Sequence, residues 1–77
     1  MPHVIVKMLT GRSDKQKQQL AEEMTKVVMK HTGNSEDAVS VSIEDIDQGD
    51  WTEKVYKADI ANNWEKLYKK PGYGPLT

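Results

Sequence analysis

The sequence predicts an α+β fold: a βαβ protomer with a parallel two-stranded sheet, followed by C-terminal helices. Three observations carry this reading. A strand-like run, Pro2 to Met8, opens the chain; a helical stripe bracketed by Ser13 and Gly33 follows; a strictly alternating segment, Ala38 to Glu44, comes next. Strand, helix, strand in that order is the pattern of a parallel pair joined by a crossover helix, right-handed in about 98% of cases.

In the first run Val4, Val6 and Met8 alternate with His3, Ile5 and Lys7, and the β-branched content favours a strand with two semi-apolar faces. Leu9 to Arg12 form a connection. Ser13-Asp14-Lys15-Gln16 reads as a capping box, so a helix starts there. Leu20, Met24, Val27, Val28 and His31 make its apolar stripe, Lys17, Gln18, Glu22 and Lys26 its solvated face, and Gly33-Asn34 its stop. In the second strand Val39, Val41 and Ile43 share one face and Ser40, Ser42 and Glu44 the other. After a polar turn from Asp45 to Asp50, Trp51, Val55, Ala58, Ile60, Trp64, Leu67 and Tyr68 recur at helical spacing, as one bent helix or two short ones. Pro71-Gly72-Tyr73-Gly74-Pro75 ends that region and leaves a rigid tail expected to dock through Tyr73.

At 77 residues and 8.8 kDa the chain is read as one domain, with a βαβ core over 2–46 and a helical segment and tail over 47–77. A domain this small buries only about 60% of its unfolded surface, so its own core is expected to be thin. There are no cysteines, and the His/Asp/Glu spacing matches neither a zinc site nor an EF-hand loop. Neither disulfides nor a structural metal are therefore expected, and oligomerisation is the remaining way to cover the bare sheet face and edges. Net charge is −1, with 11 basic residues scattered among 12 acidic ones, which leaves little electrostatic footprint for nucleic acid. No stretch approaches the about 20 apolar residues of a membrane span, and no basic segment followed by a long apolar run opens the chain. The expected location is cytoplasmic.

Pro2 at the amino terminus, the βαβ unit, and Gly11-Arg12-Ser13-Asp14-Lys15-Gln16-Lys17 after the first strand together resemble the tautomerase superfamily, specifically the 4-oxalocrotonate tautomerase family. Beyond Trp51, the helical end with Ile60 and Lys69-Lys70-Pro71-Gly72-Tyr73 is similar to the small dimeric branch of that family. The resemblance implies a cofactor-independent isomerase that moves a proton between oxygen and carbon of a 2-oxo or 2-hydroxy-enoic acid. It implies a homo-oligomer, two protomers pairing their sheets into a four-stranded one, with dimer favoured over hexamer because the chain offers helix-forming residues after Trp51 where hexameric relatives end in a short hairpin.

The resemblance makes Pro2 the catalytic base and acid once Met1 is removed. A shuttle of this kind needs a pKa near working pH. An ordinary α-amino group lies at about 7.7 to 8.0 and a secondary amine higher, so an apolar wall and a nearby cation are needed to lower it. Trp51, at the family's aromatic position, and Arg12, at the position of a carboxylate-binding arginine, are expected to supply these. A planar guanidinium grips a carboxylate with two parallel hydrogen bonds.

One departure is informative: the family's second active-site arginine falls on Ser40, an uncharged residue with a single hydroxyl to donate. This substrate-binding position is expected to disfavour dicarboxylates such as 2-hydroxymuconate and to favour a monocarboxylate with an aromatic or apolar tail, such as phenylenolpyruvate. Two other readings use the same chain. One is a hydratase or dehalogenase that acts on an unsaturated acid through the same proline, which would need water-activating carboxylates that nothing in the sequence singles out. The other is a non-catalytic dimeric interaction module that retains Met1. His3, His31, Tyr56 and Tyr68 are expected to be structural.

Overall fold

The computed structural model describes Met1–Thr77, and the chain forms two compact units, Met1–Asp45 and Ile46–Thr77. The first holds strand β1 (His3–Leu9), helix α1 (Asp14–Thr32) and nearly all of strand β2 (Ser40–Ile46). The strands pair in one two-stranded parallel sheet, giving the predicted βαβ crossover. β1 begins one residue later than the apolar run predicts. Proline has no N–H to give the ladder, so Pro2 joins only through its carbonyl, which accepts the Ser40 N–H at 3.3 Å. β2 begins two residues late because Glu36–Ala38 closes a 3₁₀ turn, with Ala38 N–H on the Ser35 carbonyl and Val39 N–H on that of Glu36.

Helix α1 starts and stops as its end residues dictate. Ser13 Oγ accepts the Gln16 N–H at 3.1 Å while Gln16 Oε1 accepts the Ser13 N–H at 2.9 Å, the reciprocal capping box. Gly33 takes φ 74° and donates its N–H to the Met29 carbonyl, a left-handed cap that a Cβ would strain. Its inward face differs from the predicted stripe. Leu20, Ala21, Met24, Thr25, Val28 and Met29 are half-buried, whereas His31 is exposed and Val27 is 49% exposed. Two i, i+4 rows therefore face inward, and Thr25 can join them because its hydroxyl donates to the Ala21 carbonyl at 2.8 Å. Lys17, expected in solvent, is half-buried and forms an ion pair with Asp45 near the end of β2. Its methylene stem covers apolar surface while its ammonium finds a carboxylate. Val41 and Ile43 share a surface pocket with Asp14, Lys17 and Ala21, which identifies the strand face that α1 covers.

The second unit is helical but not α-helical. A 3₁₀ turn at Gln48–Asp50 leads into a π-helix, Thr52–Ile60, and a 3₁₀ segment, Ala61–Lys66, that kinks at Asn63. The Ala61 N–H is shared between the Tyr56 and Lys57 carbonyls, where the wide turn gives way to a tighter one. Trp51, Val55, Tyr56, Ile60 and Ala61 turn inward and Ala58 is exposed, so burial recurs at the longer interval of i→i+5 bonding. Val55 and Tyr56, at 5% and 4% exposure, are the only buried residues of the chain. Neither strand nor α1 buries a residue completely, as a domain of this size implies. No helix is long and apolar enough to cross a membrane.

Removing the reciprocal cap tests the account of α1. Ser13→Ala is expected to lower stability by about 1 kcal/mol, read as a lower urea midpoint at unchanged m-value.

Candidate active site

Pro2 stands at the amino-terminal edge of the sheet, half-buried, behind a Met1 that is 96% exposed. While Met1 is attached the Pro2 nitrogen is a tertiary amide without a basic lone pair, and its removal creates a secondary amine. Parallel pairing brings Ser40 beside it, through the bond from Ser40 N–H to the Pro2 carbonyl. Ser40 Oγ in turn lies 2.6 Å from His3 Nδ1. His3 is thus the partner of the residue standing where a second arginine was expected. The tautomer of His3 decides what Ser40 offers: a bare Nδ1 accepts the hydrogen bond that the hydroxyl donates and leaves Oγ as an acceptor, whereas Nδ1–H donates to Oγ and turns the hydroxyl outward as a donor. Nothing local in the sequence links the two, which lie 37 positions apart.

Arg12 lies elsewhere. It is exposed in the loop between β1 and α1, beyond the far end of β1 from Pro2. A strand rises about 3.3 Å per residue, so the seven residues of β1 place about 23 Å of strand between Pro2 and the loop that carries Arg12. Within one chain the fold unites Pro2, His3 and Ser40 and leaves Arg12 apart.

Trp51 belongs to the second unit, half-buried at the start of the π-helix. Its indole N–H donates to the Tyr73 hydroxyl at 3.0 Å. The Tyr73 ring packs against that of Tyr56 with centroids 5.7 Å apart and planes tilted by 52°, a favourable offset for two aromatic quadrupoles. Tyr56 closes the circuit by accepting the Leu76 N–H on its hydroxyl at 3.3 Å. The tail therefore docks through Tyr73, as its composition predicts, but the centre of the cluster is Tyr56, which the helical spacing passed over in favour of Val55 and Ala58. These aromatics, with Pro75 and Leu76, border a cavity of about 270 Å³. Lys57 at its rim is held by Glu53 at 2.6 Å.

A βαβ unit whose first strand is led by a proline, with a polar residue held beside that proline by strand pairing, defines a small protein of the tautomerase class. A family model described as "Tautomerase enzyme" matches residues 2–55. A probable tautomerase of Xylella fastidiosa is 46% identical over 76 residues, covering 99% of this chain and 93% of that protein. Tautomerase PptA of Cronobacter sakazakii is 39% identical over 74 residues, covering 95% and 97%. Among solved structures, YwhB, a homologue of 4-oxalocrotonate tautomerase, superposes with a TM-score of 0.60 at 47% identity, over 61% of this chain and 77% of that one. A 4-oxalocrotonate tautomerase isozyme of Methylibium petroleiphilum gives 0.63 at 28% identity, over 65% and 81%. This chain belongs to the tautomerase family, on its PptA-like branch, and is an isomerase.

Gly74 tests the docking of the tail. It has φ 93°, and a Cβ there would lie 2.4 Å from Cε2, Cζ and Oη of Tyr56. Gly74→Ala is expected to cost more than about 1 kcal/mol through strain and clash together, and to speed carboxypeptidase trimming of the tail.

Proposed function

We propose that the chain is a cytoplasmic homodimeric tautomerase interconverting the enol and keto forms of a 2-oxo acid bearing one carboxylate and an aromatic or apolar tail, with phenylenolpyruvate as the type substrate. Pro2, freed of Met1, is the shuttle. Its nitrogen takes the proton of the 2-hydroxyl, the C2–C3 double-bond electrons move toward C3, and the prolinium returns a proton to C3. No cofactor enters and no proton is gained or lost. The observation that carries the reading is the placement of Pro2 at the start of β1 with Ser40 and His3 beside it. Of the residues that fold together there, the His3 ring is engaged by Ser40, and the freed proline nitrogen is the base that the family resemblance assigns to the proton shuttle.

Ser40 supports the preference for one carboxylate, because a hydroxyl paired with an imidazole gives a second carboxylate a single hydrogen bond where an arginine would give two. Arg12 is assigned the substrate carboxylate. Since β1 holds it at the opposite end of the strand from Pro2, the arginine at a given Pro2 is supplied by a second copy, and assembly is then a condition of activity. Trp51 takes the role of the family's aromatic wall, excluding water so that these charges interact strongly.

Intact mass before and after 3-bromopyruvate tests the central claim: Met1-free protein is expected to gain a single adduct that maps to Pro2. Unlabelled Met1-free protein would favour a non-catalytic module. Pro2→Ala is expected to lower phenylenolpyruvate ketonisation at least about 100-fold, with the oligomer unchanged by size exclusion, and undiminished turnover would remove Pro2 from the mechanism. Ser40→Arg is expected to move the kcat/KM ratio about tenfold toward 2-hydroxymuconate.

A further inference from the structure

The indole of Trp51 is held in place by a part of the chain that the family model does not reach, since that match ends at residue 55. Its N–H is satisfied by a hydroxyl 22 positions away, on Tyr73. Tyr73 is itself 48% exposed, so burial does not fix it. Three contacts do. Its ring lies against Tyr56, which is 4% exposed. Directly after it, Gly74 lets the backbone pass where the Tyr56 phenol leaves no room for a Cβ. The turn beyond is closed by Thr77, whose N–H and hydroxyl both donate to the Gly74 carbonyl, at 3.2 and 2.7 Å. Within that turn Leu76 donates its N–H to the Tyr56 hydroxyl. The Tyr73 oxygen thus sits on a strap tied at both ends to one buried ring.

We propose that Tyr73 is a positioning residue for Trp51: its hydroxyl, held by the strap, accepts the indole N–H, fixes the plane of that ring and thereby sets the size of substrate tail the enzyme admits. An indole that loses this acceptor keeps its stem but not its orientation, because the terminal torsion of a tryptophan side chain is broad and its N–H will turn to another partner. The consequence for catalysis rests on the reading of Trp51 as the wall of the site; the structural link between Trp51 and Tyr73 does not. Tyr73 acts through the Trp51 indole, so its loss is expected in substrate fit more than in proton transfer.

The test uses Tyr73→Phe, which keeps the ring on Tyr56 and deletes only the acceptor, in a Trp64→Phe background where Trp51 is the sole indole. Hydrogen exchange of the Trp51 indole N–H, followed by NMR, is expected to quicken at least about fivefold. KM for phenylenolpyruvate is expected to rise about threefold to tenfold, the worth of one net hydrogen bond, with kcat within about twofold. Gly74→Ala, which displaces the strap with the hydroxyl intact, is expected to reproduce both effects. In a Trp51→Phe background, where no N–H exists to be held, Tyr73→Phe is expected to change KM no further. Unchanged indole exchange would overturn the proposal, and so would faster exchange with KM unmoved. Were Pro2→Ala inactive and Tyr73→Phe indistinguishable from the parent, the tautomerase reading would survive and the strap would be shown to be structural only. Were Pro2→Ala fully active, it would be the reading beneath that had failed.

Discussion

The bond from Ser40 N–H to the Pro2 carbonyl sets the register of the only sheet in the protein, and the candidate chemistry follows from that register. Because side chains alternate with period two along a strand, a one-residue slip would exchange every inward residue of β2 for an outward one. It would turn Val41 and Ile43 away from α1 and part Ser40 from His3. Register here has little core to enforce it, since no residue of the strands or of α1 is fully buried. It is instead held by features at the margins of the sheet: the reciprocal cap that fixes where α1 begins, the left-handed Gly33 that fixes where it ends, and the Lys17–Asp45 pair near the end of β2. That pair is only partly shielded from water, so its contribution is to alignment more than to stability.

The second unit solves the shortage of core differently. Its two buried residues are consecutive, an arrangement that an α-helix with a single buried stripe does not favour and that the wider π turn accommodates. π-helical geometry is uncommon and concentrates at functional positions, and here it carries Tyr56 beneath a tail that would otherwise have nothing to bind. Rings substitute for aliphatic bulk: Tyr56, Tyr73 and Trp51 join through one ring contact and one hydrogen bond, and backbone of the tail donates into the same cluster. A few aromatic side chains bury much area each, and so they serve a short chain well.

Much of the first unit was legible in the sequence because its signals are local. The capping box, the terminal glycine and the strict alternation of Ala38 to Glu44 each require only neighbours within a few positions, and they locate α1 to the residue and the strands to within two. The errors have local causes too: a proline without an N–H at the start of β1, and a 3₁₀ turn competing for the first residues of β2. The face of α1 was misjudged at Lys17, Val27 and His31 because apolar spacing shows the amphipathic direction and not its rotation about the helix axis, which packing settles. In the second unit a helical period of 3.6 places Ala58 inward, whereas the π-helical interval exposes it and makes Tyr56, expected only to be structural, the centre of the cluster. Of the four candidate site residues, Pro2 and Ser40 are brought together by the sheet, Arg12 stands at the other end of β1, and the partner that Trp51 finds in Tyr73 has no signature in the sequence at all.

What the sequence determined by itself is therefore the order and type of the elements in the βαβ unit and the positions of Pro2 behind Met1 and of Ser40 in the second strand. These depend on residue identity and short-range backbone preference, which a linear string contains. Only the tertiary structure decided that Ser40 answers to His3, that Arg12 is carried away from Pro2 along its own strand, and that a tail tyrosine holds the Trp51 indole. Each of these is a meeting or a separation of groups distant in the chain, set by strand register, strand length and the rotation of a helix about its axis. Such quantities are fixed when surfaces pack, and no single residue encodes them.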